Sequence, residues 1–156
     1  MTATVPGARL FHEGQFEGRR VRLPVFLGRR PSESVNEGLQ LFYTKLVRAI
    51  DRPVFRDGCW SLCEPEGWPD NASFQNLLTW AWQKDPERCL IAVNFSDHPI
   101  QARVRFPWAD IGGGTWRLTE AFSGAECERQ GDELAQSGLY VELVPWGYRC
   151  FSWSRP

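Results

Sequence analysis

The sequence lacks the features of membrane and nucleic-acid-binding proteins. Its longest apolar runs, such as residues 89–93, are far too short to span a bilayer. Residues 1–9 do not have the basic-then-apolar pattern of a secretory signal. Neither sign of charge dominates, because 18 Lys and Arg stand against 19 Asp and Glu. With a net charge of -1, no basic field exists to hold a polyanion. These absences predict a soluble protein that binds neither membrane nor nucleic acid.

Cysteine and histidine are too few and too scattered for a metal site. The sequence has two His and five Cys, and no Cys-x-x-Cys pair completes a zinc pattern. The loop aspartates stand beside turn-forming residues, whereas calcium needs several oxygen ligands gathered in one loop. We therefore expect no metal and no cofactor. An odd number of Cys without a secretory signal predicts reduced thiols and a cytoplasmic location, with one disulfide as the alternative.

Aromatic residues are abundant instead and favour β structure. Eight Trp and ten Phe occur with a single Met, and aromatic side chains suit the faces of sheets. From Ile100 to Phe106 apolar and polar residues alternate, as in a half-buried antiparallel strand. Similar strand signals occur at residues 76–83, 90–95, 116–118, 139–143 and 148–153. About seven short strands, with no helix after residue 53, predict an antiparallel two-sheet β-sandwich.

The first third of the chain has a different pattern. Apolar residues recur at helical spacing between residues 34 and 51, after candidate capping residues at 31–34. The stripe consists of Val35, Leu39, Phe42, Leu46 and Ile50. Residues 8–12 are a candidate strand, and residues 13–31 form a polar loop containing five Arg. The sequence thus divides into residues 1–51 and a sandwich domain at residues 52–156.

Three segments carry a resemblance to a known family. VPGARLFHEGQ at residues 5–15 resembles the eighth barrel strand of α-amylase-family glycoside hydrolases. LFYTKL at residues 41–46 is similar to the helix that follows that strand, and LIAVNFS at residues 90–96 resembles a marker of the family's C-terminal sandwich. The resemblance implies a mainly β chain: an antiparallel two-sheet β-sandwich preceded by one strand–loop–helix remnant of a (β/α)8 barrel.

The same resemblance bears on function. The family hydrolyses glycosides with two carboxyl groups on earlier barrel strands, which would lie upstream of Met1. The resemblance therefore implies a non-catalytic C-terminal part of an enzyme of starch or glycogen metabolism. Such a part would support the upstream catalytic barrel and help to bind α-glucan or maltooligosaccharide. His12, Glu13 and Gln15 would stand at the active-site end of the eighth strand, where they could contact sugar in a complete barrel. The alternative for Glu13 is an ion pair with Arg19 or Arg20 within the loop.

Two tryptophans in turn-rich segments open a second hypothesis. Trp68 and Trp108 could stack on sugar rings, which would make the chain a stand-alone carbohydrate-binding module. The alternative is that each folds down over the edge of the sandwich, because large aromatic side chains are usually mostly buried. Trp80, Trp82 and Trp116 are expected in the core. An unrelated enzyme is poorly supported, because the sequence has two His and no Gly-x-Ser-x-Gly motif.

The helix also raises the question of what covers its apolar stripe. The stripe could fold back onto the sandwich, while the strand at residues 8–12 pairs with a second copy of the chain. We therefore expect a homo-oligomer whose contacts lie within residues 1–50, with the sandwich largely self-sufficient.

Overall fold

The computed structural model describes residues 2–22, 26 and 28–156. Its strands are β1 (Cys59–Leu62), β2 (Glu64–Glu66), β3 (Leu77–Lys84), β4 (Glu87–Asn94), β5 (Ile100–Arg105), β6 (Thr115–Glu120), β7 (Glu126–Gln130), β8 (Leu139–Leu143) and β9 (Tyr148–Ser154). Its α-helices are α1 (Glu37–Ile50), α2 (Val54–Asp57) and α3 (Gly131–Ser137). The mainly β class predicted from the sequence is confirmed.

The strands form two antiparallel sheets. The larger has six strands in the order β1-β3-β4-β9-β6-β7, and the smaller has the order β2-β5-β8. Side chains of both sheets interleave in one core, which includes Leu90, Val104, Leu118 and Leu143, each 2% exposed or less. The predicted alternation on β5 is confirmed, because Ile100, Ala102 and Val104 point into this core while the intervening residues do not.

The other face of the six-stranded sheet is covered as well. A second apolar cluster joins Trp80, Trp82 and Ile91 of the sheet to Ala3 and Ile50. The indole N–H groups of Trp80 and Trp82 both donate to the carbonyl oxygen of Thr4, each at 2.8 Å. Covering on both faces explains why β4 reads as a continuous apolar run rather than an alternating one. It also confirms that Trp80 and Trp82 are core residues.

Helix α1 begins later than the sequence predicts. The side chain of Asn36 caps it by accepting a hydrogen bond from the Leu39 backbone N–H at 2.9 Å, so Val35 precedes the helix and is exposed. Three further residues of the stripe pack back over the sheet: Ile50 is buried in the second cluster, Leu46 packs against that cluster, and Phe42 stacks on Phe122 at 5.9 Å. The predicted homo-oligomer stays a prediction.

Two local predictions were wrong. Residues 8–12 are irregular rather than a strand, because no strand in the described part of the chain lies beside them to accept their backbone hydrogen bonds. Helices α2 and α3 do occur after residue 53; with four and seven residues they are too short to show a helical period. No helix of the described residues is long and apolar enough to cross a membrane.

Candidate functional site

In the described part of the polar loop before α1, residues 13–22, 26 and 28–31, two carboxylates hold the backbone and an arginine in place; residues 23–25 and 27 lie outside the described residues. Glu13 forms an ion pair with Arg30, whose Nε donates to Glu13 Oε1 at 3.0 Å. Glu33 accepts from the backbone N–H of Arg20 at 2.9 Å and of Val21 at 3.2 Å. Glu13 therefore sits in an ion pair within the loop, as the structural alternative predicted, although its partner is Arg30 rather than Arg19 or Arg20.

His12 and Gln15 also make local contacts. Gln15 accepts a hydrogen bond from the His12 backbone N–H at 3.3 Å and donates to the hydroxyl of Tyr43 on α1 at 2.8 Å. A ring nitrogen of His12 lies 3.0 Å from the Glu13 carbonyl oxygen. The three predicted residues thus lie together in one turn beside α1. Their contact with sugar in a complete barrel stays a prediction.

The electrostatics of these carboxylates do not suit proton transfer to a leaving group. The hydrogen bond from Arg30 lowers the pKa of Glu13, and the hydrogen bond from the Arg20 backbone lowers the pKa of Glu33. A glycosidase general acid needs the opposite shift, because it must hold its proton near neutral pH. Both groups are therefore anchors of the loop.

Trp108 is buried, so its assignment as a sugar platform is wrong and the alternative, a ring folded down over the sandwich, is confirmed. It is 4% exposed and packs on Phe106 and Trp153, with ring centroids 5.4 and 5.2 Å away. Arg88, which is itself buried and paired with Asp110, lies over the rings of Trp108 and Trp116 at 5.6 and 4.8 Å. The turn-rich sequence around Trp108 thus folds back into the core, and its ring has no free face. The prediction that Trp116 is a core residue is confirmed.

Trp68 differs from Trp108, because it is 37% exposed at the edge of the three-stranded sheet. It begins a tight turn closed by the backbone N–H of Asn71, which donates to the Trp68 carbonyl at 2.9 Å. Its ring meets Tyr140 of β8 edge to face, with centroids 6.2 Å apart. The sequence predicted Trp68 alone; Tyr140 was missed, although it is an outward residue between the apolar Leu139 and Val141.

A second exposed aromatic pair was missed as well. Phe95 follows β4 and Trp146 precedes β9; they are 59% and 60% exposed and meet edge to face at 5.8 Å. Trp146 has φ 56 in the turn that the Gly147 N–H closes on the Val144 carbonyl at 2.9 Å. A bulky residue in this left-handed region costs about 1–2 kcal/mol and points to a functional reason for its position.

All five cysteines are free thiols, and burial divides them into two groups. Cys59 is exposed and Cys127 is half-buried, whereas burial raises the pKa of Cys63 and Cys150 to about 12 and that of Cys89 to about 11. Since the thiolate is the reactive form, these three are protected.

Thiol titration of the native protein at pH 8 should therefore detect Cys59 and Cys127, and titration in denaturant without reductant should detect all five. Three thiols after denaturation would instead show one disulfide. Rapid reaction of all five in the native protein would contradict the buried positions.

Metal ligands are not gathered anywhere in the described part of the chain. No group of three or more His, Cys, Asp or Glu side chains there could hold an ion. His98 is exposed beside Asp97, to which its ring nitrogen is hydrogen bonded.

Comparison with known proteins supports the fold. No family model and no curated protein matches the sequence. Among solved structures, a maltogenic α-amylase of Thermotoga neapolitana matches 96% of this chain and 34% of its own, with a TM-score of 0.65 and 16% identity. A debranching enzyme of Nostoc punctiforme, soaked with acarbose, matches 96% of this chain and 26% of its own, with a TM-score of 0.60 and 18% identity.

An α-amylase of Geobacillus thermoleovorans complexed with acarbose matches 78% of this chain and 24% of its own, with a TM-score of 0.57 and 11% identity. The chain spans about a third or less of the length of these three structures. It therefore has the fold of the C-terminal portion of α-amylase-family glycoside hydrolases, as the resemblance predicted.

Proposed function

We propose that this chain is the non-catalytic C-terminal part of an α-glucan-active glycoside hydrolase, where it supports the catalytic barrel and helps to hold glucan. In support, the solved structures that share this fold are much longer enzymes, and this chain covers only 34% and 26% of two of them. The isolated chain should release no reducing sugar from soluble starch or maltooligosaccharides.

The observation that carries the proposal is a row of exposed apolar side chains at one end of the six-stranded sheet. We call it the apolar strip; it consists of Leu62, Leu78, Phe95, Trp146 and Tyr148, which are 38–69% exposed. Leu78 and Tyr148 both pair with Val93 in register and so share one face of the sheet. Exposed apolar surface of this kind marks a contact with another polypeptide, and the strained backbone of Trp146 fits the same role.

The partner is proposed to be the catalytic barrel of the same enzyme. The strip continues the face on which α1 already packs, and α1 is the segment that resembles the last barrel helix. Charged partners are poorly matched, because the strip itself consists of apolar and aromatic side chains.

A stand-alone carbohydrate-binding module is the second candidate, favoured by the exposed ring of Trp68. A stand-alone module would have no use for the apolar strip, whereas a barrel partner would cover it. The two candidates therefore differ in what the strip contacts.

The test begins with the coding sequence upstream of residue 1. It should encode barrel strands that carry the paired carboxylates. An upstream sequence without such strands would overturn the proposal. Expressed as a separate chain, that barrel should bind this protein, and Phe95→Ser or Trp146→Ser should weaken the association at least about tenfold, as expected for a central aromatic contact.

Trp68→Ala is the matched control, because Trp68 is an exposed tryptophan on the three-stranded sheet and away from the strip. Its association with the barrel should equal that of the unsubstituted chain. The assignment of the strip would be contradicted if Phe95→Ser, Trp146→Ser and Trp68→Ala all weakened the association equally. It would also be contradicted if none of them weakened it.

A further inference from the structure

The outward face of the three-stranded sheet is built differently from the apolar strip. Its aromatic side chains are Trp68 and Tyr140, both partly exposed and in edge-to-face contact. Polar and charged side chains surround them: the outward positions of the three strands are Glu64, Glu66, Gln101, Arg103, Arg105, Tyr140 and Glu142. The face thus combines aromatic rings with many hydrogen-bonding groups.

The position of Trp68 is fixed before any ligand arrives. Asn71 closes its turn and donates from Nδ2 to Gln101 Oε1 at 3.2 Å, which ties the loop to β5. Gly67 lies so close to Phe74 that a Cβ at position 67 would stand 2.2 Å from the Phe74 ring. With the turn held in this way and the ring in contact with Tyr140, little conformational entropy is lost on binding, which favours even a weak ligand.

Tyr140 is fixed as well, through its strand and its hydroxyl. Its backbone pairs with Arg103, which in turn pairs with Glu66, so the three residues form one row across the sheet. Its hydroxyl donates to Glu142 Oε2 at 3.1 Å, and partial desolvation, followed by this hydrogen bond, raises its pKa. The hydroxyl therefore stays protonated at neutral pH and available as a hydrogen-bonding group.

The chemistry of this face matches a sugar better than an ion or an apolar peptide. A pyranose ring offers an apolar face that stacks on an aromatic ring and hydroxyls that bond to amide, carboxylate and guanidinium groups. Arg105 donates to Glu66 at 3.1 Å, and Arg103 donates to the carbonyl oxygen of Ser137 at 3.5 Å. Three carboxylates against two guanidinium groups leave a single excess negative charge on this face, which is too small to select a strongly ionic ligand.

We propose that Trp68 and Tyr140, with Gln101, Arg103 and Glu142, form a binding site for a short run of glucose units of an α-glucan. The choice of an α-glucan rests on the proposed function, because it comes from the enzymes that share this fold. The site lies on the three-stranded sheet, on the far side of the sandwich from α1 and the apolar strip. It would hold a glucan chain at a distance from the proposed barrel contact.

Titration of the full chain with maltoheptaose, followed by calorimetry and by tryptophan fluorescence, tests the site. We expect saturable binding with quenching of fluorescence. Trp68→Ala and Tyr140→Ser should each weaken the affinity at least about tenfold, whereas Tyr140→Phe, which keeps the ring, should weaken it less. Trp146→Ala is the matched control and should bind like the unsubstituted chain.

The following outcomes would overturn the proposed site. Absence of binding at millimolar maltoheptaose would do so, as would unchanged affinity in Trp68→Ala and Tyr140→Ser once circular dichroism shows both to be folded. If Trp68→Ala does not fold, the two Tyr140 substitutions decide the question. Tighter binding of cellohexaose than of maltoheptaose would reject an α-glucan as the ligand. Because association with the barrel is measured separately through Trp146, failure of this site and failure of the proposed function can be told apart.

Discussion

Gly138→Ala is expected to destabilise the protein by about 2–6 kcal/mol. Gly138 has φ 70 and ψ 178, a region that is essentially restricted to glycine and costs other residues about 1–3 kcal/mol. A Cβ there would also stand 2.5 Å from the Val104 carbonyl oxygen. Val104 pairs with both Pro65 and Leu139 and so cannot move away, which adds an overpacking cost of about 1–3 kcal/mol. The sum is a large fraction of the roughly 5–15 kcal/mol that holds a domain together.

Gly124→Ala is the matched control for this prediction. Gly124 also has positive φ, at 73, but a Cβ there would have no atom within 4 Å. Its cost should therefore be limited to the backbone term of about 1–2 kcal/mol. Urea denaturation of both variants measures the difference, and equal destabilisation would contradict the close approach of Gly138 to β5.

Removal of residues 1–51 is expected to have a comparable or larger effect. Those residues cover Trp80, Trp82 and Ile91, and they supply the Thr4 carbonyl that accepts both indole hydrogen bonds. Each large apolar side chain returned to water costs roughly 1.5–3 kcal/mol, so the loss amounts to several kcal/mol. The shortened chain should therefore be unfolded or aggregated at room temperature, contrary to the sequence-based expectation of a self-sufficient sandwich.

A suitable control is Leu41→Ser in the full chain. Leu41 lies on α1 but is 57% exposed, so its replacement should change the unfolding free energy by no more than about 0.5 kcal/mol. Sedimentation and urea denaturation of the two proteins would test the prediction. The prediction would be contradicted if a chain starting at residue 52 were monomeric and had the same unfolding free energy as the full chain. Residues 1–51 would then contribute nothing to stability.

Strands with strict alternation and the amphipathic helix could be predicted from the sequence, because their signals are local. Ile100, Ala102 and Val104 face the core as their period requires. For Trp108 the sequence left a sugar platform and a covered ring as alternatives, because its burial depends on Arg88 and Trp153, which lie far away in the sequence. The prediction of a strand at residues 8–12 was wrong for a related reason. A strand needs a neighbouring strand to pair with, and the local sequence pattern does not show whether one is present.

The aromatic surfaces were only partly predictable. Trp68 was singled out because its segment is rich in turn residues, and the structure leaves it exposed. Tyr140 carried a signal, since it occupies an outward position between buried residues of a strand, but its meeting with Trp68 depends on the pairing of β5 with β8. The strain at Trp146 is visible only in its positive φ angle. The sequence gives no sign of it, because tryptophan is not a residue that favours positive φ.

The position of β9 in the six-stranded sheet affects how the chain can fold during synthesis. β9 comes last among the strands, yet it lies between β4 and β6 and joins β1-β3-β4 to β6-β7. Until residue 154 has left the ribosome, each half of the sheet exposes an unpaired edge through which it can associate with other chains. Because the same strand contributes Cys150 to one cluster and Trp153 to the other, both cores close only when translation has passed this point.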